Sequence, residues 1–385
     1  METTFTVKIE QYAPPGRGMG YHEDNAVFVP CACVGDELEV EMVKEGKGYI
    51  EAKIVNVITA GPDRIEPACM HFNFCGGCDL LHLSYENQIK LKTAMLAETL
   101  KGYGLELTPE VTPSPEIWHS RHRASLRAAA GKLGMNGRWS SQLVEIKDCK
   151  SLSKLIIDKI PDLKALKDIE ASYPIIASHS GQTLAGKRII KKKEQEIQGL
   201  AHAVHEDYGY GKLELLAAGF AQSNPLVTKI ILDDINGNIS PAKLAVEYYA
   251  GSGTITTAVA SKCEQIQGFE LSVSAVKAAN RNATNLKLEN ITVTKGDAKN
   301  GQIAIATDLL IVDPPRAGID RPLLKELKRR KPTEIAYMSC NPATFSRDLA
   351  DLLDFGYQVK FIKGYDMYPH SYHLECLAVL AYPKG

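Results

Sequence analysis

The chain lacks any long apolar run. Nowhere do roughly 18 or more uncharged apolar residues follow one another, as a membrane-spanning helix requires. Its first residues, METTFTVKIEQ, contain no basic stretch leading into an apolar one, so a cytoplasmic protein with no membrane partner is expected. Neither sign of charge is in excess: 45 Lys and Arg stand against 46 Asp and Glu, a net charge of −1. A nucleic-acid surface, if there is one, must therefore be a local patch and not a whole-molecule field. There is no internal repeat and no low-complexity tract. The nine cysteines are odd in number and partly clustered, which argues against a secreted disulfide framework and for thiols used as ligands or nucleophiles. What is present is length and apolar content: 385 residues at 44% hydrophobic allow two or three domains with real cores.

Three stretches differ in pattern. Residues 1–61 read as short strands (FTVKIEQY, NAVFVP, DELEVEMV, YIEAKIVNVI) separated by the turn signals PPGRGMG and VGDE, the pattern of a small antiparallel barrel of the OB type. Residues 62–201 carry a cysteine-rich loop and a helix near 85–103 that is able to pack on the catalytic part. The basic strand-like run WHSRHRASLRAAAGKLGMNG and an amphipathic segment around SKLIIDKIPDLKALKDI follow. Arg121, His122, Arg123 and Arg127 in that basic run would track phosphates if they lie along a strand. Residues 202–385 alternate strands and helices, which predicts a mostly parallel sheet wrapped by helices.

The run CMHFNFCGGCDLLH sets Cys69, Cys75 and Cys78 within one loop, with Gly76 and Gly77 letting the backbone curl, and Cys149 stands further on. Four thiolates suit structural zinc or an iron–sulfur cluster. The second Cys-x2-Cys knuckle of a zinc ribbon is missing, and the spacing departs from that of radical enzymes built on S-adenosylmethionine.

In the α/β part, the strand KLAVEYYA runs into Gly251-Ser252-Gly253-Thr254 and then a helical pattern, a turn that lets a cofactor approach the backbone. Glu270 ends the next strand, where an acid accepts hydrogen bonds from ribose hydroxyls, and Asp297 ends the third, within reach of an adenine amine. Together they indicate a nucleoside cofactor. Asp313 ends the fourth strand in DLLIVDPPRAG, but the aromatic that follows D-P-P in enzymes methylating exocyclic amines is absent, and Arg316 closes the motif. One strand later comes Cys340. Carbon 5 of a pyrimidine is a poor nucleophile until a thiolate adds to carbon 6, and a base must then remove the carbon 5 proton. MYPHSYHLECLAVL offers His370, His373 and Glu375 for that base, and Glu375 is preferred because it begins an apolar strand.

These motifs together (GRGMG, C-x5-C-G-G-C with Cys149, FAQSNP, YYAGSGTIT, GFEL, DPPRAG, SCNPATFSRDL and HLE) resemble those of the RNA 5-methyluridine (uracil-C5) methyltransferase family, over nearly the whole chain. The resemblance implies a Rossmann-like methyltransferase domain, an N-terminal TRAM-like barrel and a central α+β domain. It implies S-adenosylmethionine as donor, held by Gln222, Tyr249, Gly251, Thr254, Glu270, Asp297 and Asp313, with Cys340 as nucleophile and Glu375 as base. It further implies a structural [4Fe-4S] cluster on Cys69, Cys75, Cys78 and Cys149, and RNA as partner, ribosomal before transfer RNA, with no obligate protein partner. Two departures stand out: Glu247 takes the place of the family's aspartate, and Thr254 that of its common asparagine. The rival readings are an iron–sulfur redox protein and a non-catalytic RNA-binding protein.

Overall fold

The computed structural model describes residues 4–383 except 130, 139–141, 165–169, 186, 192–193, 199–202, 217–219, 301–302 and 304–305. Leu166 of the amphipathic segment and the junction at 201–202 therefore lie outside the described residues.

Five strands open the chain: β1 (Thr4–Ala13), β2 (Arg17–His22), β3 (Asn25–Val29), β4 (Glu37–Gly46) and β5 (Tyr49–Thr59). They close into a barrel of order β1-β2-β3-β5-β4. Alternation puts Val7, Ile9, Val27, Val29, Leu38 and Val40 inside. Two expectations are corrected here. PPGRGMG is a turn only over residues 14–16, and its remaining residues begin strand β2, whose Gly20 packs so close to the Lys8 carbonyl that a Cβ has no room. The barrel is also not wholly antiparallel, because β3 and β5 run parallel. Asp36, buried at the barrel's exit, accepts from the Cys33 and Gly61 amides and pairs with Arg64 at 2.6 Å, tying barrel to cysteine loop.

Helix α1 (Tyr85–Gly102) begins at Ser84, whose hydroxyl accepts from the Asn87 amide at 3.3 Å. Strand β6 (Val111–Thr112) follows. Next come β7 (Arg123–Ala129), β8 (Lys132–Asn136), β9 (Leu143–Glu145), two short helices α2 (Lys154–Ile157) and α3 (Ile160–Lys164), and β10 (Glu170–Ala177), β11 (Thr183–Ala185), β12 (Lys187–Lys191) and β13 (Glu194–Gln198). Pro161 at the head of α3 explains why the amphipathic segment breaks into two helices. The strands form a sheet of order β13-β12-β10-β7-β8-β9, with β11 on β10. The hairpin β14 (Ala203–Asp207) and β15 (Lys212–Leu216) leads into the last unit.

That unit contains α4 (Pro225–Asn238), β16 (Ala242–Tyr248), α5 (Thr254–Val259), β17 (Cys263–Glu270), α6 (Val273–Asn285), β18 (Ile291–Lys295) and β19 (Leu309–Val312). It continues with α7 (Arg321–Arg330), β20 (Glu334–Ser339), α8 (Pro342–Asp354), β21 (Gln358–Tyr365) and β22 (Glu375–Ala381). Its sheet has the order β18-β17-β16-β19-β20-β22-β21-β6. The strands from β18 to β20 are parallel and β22 is antiparallel to both its neighbours. Strand order reverses at β16, and open α/β sheets bind ligands at the carboxyl ends beside such a point. Helix α1 and strand β6 belong physically to this sheet: Leu96, Leu100 and Val111 join the core of Leu310, Ile335 and Leu349, and β6 pairs with β21.

Candidate active site

The backbone beyond β16 turns through positive φ at Tyr249 (63°), Gly251 (55°) and Gly253 (80°) before α5 begins. Glycine meets that demand at low cost at two of the three positions. Glu270 accepts the Gly251 amide at 3.0 Å and the Ser272 amide at 2.8 Å, so the acid assigned to a ribose is fixed to the glycine loop. A pocket in front of the loop is lined by Gln222, Glu247, Tyr249, Gly251, Thr254 and Asp313. Glu270 and Asp297 do not line it; they follow it along the sheet edge, at the ends of β17 and β18. The Gln222 Oε1 and Ser252 Oγ atoms are buried with no hydrogen-bond partner. Such groups are satisfied by a bound molecule, and the residue set fits S-adenosylmethionine.

Gln222 owes its place to the motif around it. Asn224 caps α4 by accepting from the Val227 amide, and Pro225 starts the helix. The SCNP motif repeats the device: Asn341 caps α8 by accepting from the Ala343 amide, with Pro342 next. Glu247 is buried, accepts a short hydrogen bond from Thr256 and is pushed by burial up to about 8. At neutral pH its carboxyl is mostly protonated.

Strand register brings the reactive pair together. Ser339 of β20 stands opposite Cys376 of antiparallel β22. Cys340 follows Ser339 and Glu375 precedes Cys376, so the two lie at the same end of the paired strands. Asp313 leaves the neighbouring β19 at the same edge. Burial first, then the Glu375 and Asp313 carboxylates, push the Cys340 thiol up to about 11, against the pull of Arg316. Burial and Asp313 hold Glu375 well above the usual carboxylate range, again with Arg316 opposing, and burial raises Asp313 to about 7. Glu375 Oε2 is buried without a partner. Cys340 opens onto a cleft of about 1010 Å³ walled by Pro14 and Pro15 of the barrel, Leu91 and Met95 of α1, Arg316 and Tyr372.

Residues 301–382 match the model of the tRNA (uracil-5-)-methyltransferases and residues 2–55 that of the TRAM domain. The chain is 28% identical to the 23S rRNA (uracil(1939)-C(5))-methyltransferase RlmD of Shewanella baltica, covering 100% of this chain and 97% of that protein. It is also 28% identical to an RNA methyltransferase of Halalkalibacterium halodurans, covering 97% of this chain and 96% of that one. The fold superimposes on the tRNA (uracil-54, C5)-methyltransferase of Pyrococcus abyssi, solved with S-adenosyl-L-homocysteine, with a TM-score of 0.80 at 23% identity over 98% of this chain and 100% of that one. The chain is thus similar over nearly its whole length to RNA methyltransferases, and over residues 301–382 to the uracil-5 methyltransferases.

In this methyltransferase the four cysteines of the metal reading, all free thiols, line one small cavity together with Phe72 and Leu81. Among the described residues, no three histidine, cysteine or acidic side chains converge closely enough to hold a metal ion. The loop is clamped from outside: Arg138 pairs with Asp79 at 2.5 Å and donates to the carbonyls of Cys75 and Cys78.

The basic run divides between two faces. Arg121 and Arg127 line a groove with Arg138 and Tyr372, and Arg123 shares their strand face. His122, by contrast, points to the other face and is buried against His179.

The sequence reading also gave no role to the residues that hold the D-P-P-R loop. Asn341 and Thr344 donate to the Arg316 carbonyl, Arg347 to that of Ala317, and buried Asp348 accepts from the Ile319 amide and Tyr337 hydroxyl. The long S-C-N-P-A-T-F-S-R-D-L motif is thus the brace for its neighbour. Only its length hinted at this. His370, offered as a base candidate, is buried away from Cys340 in other bonds, whereas His373 lines the cleft.

Proposed function

We propose that the enzyme methylates carbon 5 of a uridine in ribosomal RNA through a covalent adduct on Cys340. The observation that carries this reading is that Cys340, which opens onto the cleft, has both Glu375 and Asp313 near enough to oppose its ionisation, and Asp313 also lines the donor pocket. Gln222, Tyr249, Gly251, Thr254, Glu270, Asp297 and Asp313 are the residues we assign to S-adenosylmethionine, which when bound supplies a methyl group on positively charged sulfur. A uridine flipped out of its stack presents carbon 6 to the Cys340 thiolate. The new S–C6 bond pushes the C5=C6 electron pair onto the ring as an enolate; carbon 5 then takes the methyl group as the S–CH3 bond of the donor breaks, its electron pair leaving on sulfur as the neutral thioether of S-adenosylhomocysteine. Glu375 removes the carbon 5 proton; the C–H electrons restore the C5=C6 double bond, the S–C6 bond breaks and thiolate returns.

The full-length likeness to a 23S rRNA methyltransferase supports ribosomal over transfer RNA as substrate. Cys69, Cys75, Cys78 and Cys149 would hold a [4Fe-4S] cluster, whose four thiolate ligands stand further apart than those of a single ion; the four thiols line one cavity but do not close on a single-ion site. Its role would be to shape the RNA-binding loop. Labelled donor is incubated with ribosomal and transfer RNA transcripts and wild type, Cys340→Ala or Glu375→Gln protein. Cys340→Ala is expected to yield no 5-methyluridine, and undiminished product would sink the adduct. Glu375→Gln is expected to methylate and then stall as a crosslinked complex; clean turnover removes Glu375 from its role.

A further inference from the structure

Tyr365 ends β21 and Glu375 begins β22, and the loop between them has no helix or strand of its own. Its shape is set by what grips it. His370, five residues ahead of Glu375, sits at a φ of 69°. Its carbonyl accepts from the amides of Asp79 and Leu80, the two residues after Cys78, at 2.7 and 2.9 Å. Its amide donates to Gln88 Oε1 of α1 at 3.1 Å. The ring's Nε2 lies 2.8 Å from the Ile117 carbonyl, which makes Nε2 the protonated nitrogen and leaves Nδ1 to accept from Gln88 Nε2 at 3.3 Å. The ring stacks on Trp118, centroids 4.1 Å apart. Burial lowers its pKa to about 4, so the neutral tautomer that this network needs is the one present. Three separate segments, the cysteine loop, α1 and the approach to β7, thus converge on one residue of the catalytic loop.

Resting on the mechanism above, we infer that His370 is a positioning residue through which the segment after Cys78 sets the loop that aims Glu375 at carbon 5 of the adduct. Addition of Cys340 and methyl transfer draw on β20 and the donor pocket, which His370 does not touch. Tyr372 and His373 of the same loop wall the cleft at Cys340, but of the chemical steps it is proton removal and release that depends on where the loop sets Glu375. A displacement of the base by about 1 Å costs on the order of 100-fold.

The experiment compares wild type, His370→Leu and His370→Gln, the last carrying an amide donor to the Ile117 carbonyl. Three quantities are followed: RNA trapped in the covalent complex on denaturing gels, 5-methyluridine released, and affinity for S-adenosylhomocysteine. For His370→Leu, product release is expected to fall on the order of 10- to 100-fold while methylated adduct accumulates and donor affinity holds; His370→Gln is expected to restore release. A parallel loss of adduct and product, or no rescue by glutamine, overturns the inference in favour of a plain packing role. Should the leucine variant not fold, Gln88→Leu, which removes the same partner from α1, must show the same trapping or the inference falls. Wild-type protein that forms no adduct at all would instead overturn the mechanism on which this rests.

Discussion

At the residue scale the site is a cluster of acids held out of water with one cation. Cys340, Glu375 and Asp313 each oppose the ionisation of another, and Arg316 alone among the groups named favours it. The sign of the expected pH effect follows. In the free protein the Cys340 thiol stays protonated at neutral pH and ionises only toward about 11, so its alkylation by iodoacetamide, followed by mass spectrometry, is expected to rise with pH up to that region. Glu375→Gln removes a group that opposes ionisation of the thiol and must lower its apparent pKa, whereas Arg316→Gln must raise it. An unmoved titration in Glu375→Gln would mean the two groups do not share a site. The raised Glu375 has a chemical use as well, because a carboxylate that holds its proton tightly is the stronger base once ionised. This arrangement was half legible in the sequence. Chain order alone singled out Asp313, Cys340 and Glu375, because each closes or opens an apolar strand. The tuning was not legible, since it comes from burial and from neighbours on other strands.

At the element scale the decisive contacts join segments far apart in the chain. Lys92 of α1 is buried and reaches Asp366 at 2.5 Å and the carbonyls of Tyr368 and His373 at 3.2 and 3.1 Å. Asp366 also accepts from the Tyr85 hydroxyl at 2.8 Å. Removing one partner of a buried pair leaves the other charge uncompensated, at a cost of about 3–5 kcal/mol. Lys92→Met is therefore expected to destabilise the protein by that order in urea unfolding, and adding Asp366→Asn to recover part of the loss. A double variant no better than the single one would show that the pair is not the source. The sequence offers α1 as a helix able to pack on the catalytic part, and Leu96 and Leu100 do join that core; a 3.6-residue stripe of leucines specifies a buried face but not the strands and loop it meets. The same limit hid β6, two residues long, and carried the turn of PPGRGMG past Gly16 into β2, where glycines that permit close strand packing look like turn residues. Where elements carried strong alternation and the chain neighbours are also sheet neighbours, as from β16 to β18, pattern and structure coincide.

At the scale of the whole molecule, a net charge of −1 leaves no long-range attraction for RNA, so binding must come from where the cations are placed. Arg121, Arg127 and Arg138 line a groove of about 390 Å³ that shares Tyr372 with the cleft at Cys340. Arg281, by contrast, lies on α6 paired with Glu214 and lines neither groove nor cleft. Arg127→Gln and Arg281→Gln each change the net charge from −1 to −2, so an effect of overall field would be the same for both. A phosphate held by Arg127 gives a different result. The slope of log Kobs against log salt is expected to become shallower by about 0.7 for single-stranded RNA in Arg127→Gln and to stay unchanged in Arg281→Gln, with S-adenosylhomocysteine binding unaltered in both. Fluorescence anisotropy with a labelled uridine-containing strand over a range of potassium chloride concentrations measures it. Equal shifts in the two variants would return the interaction to the whole-protein field, and the groove beside the cysteine loop would lose its claim to the RNA backbone.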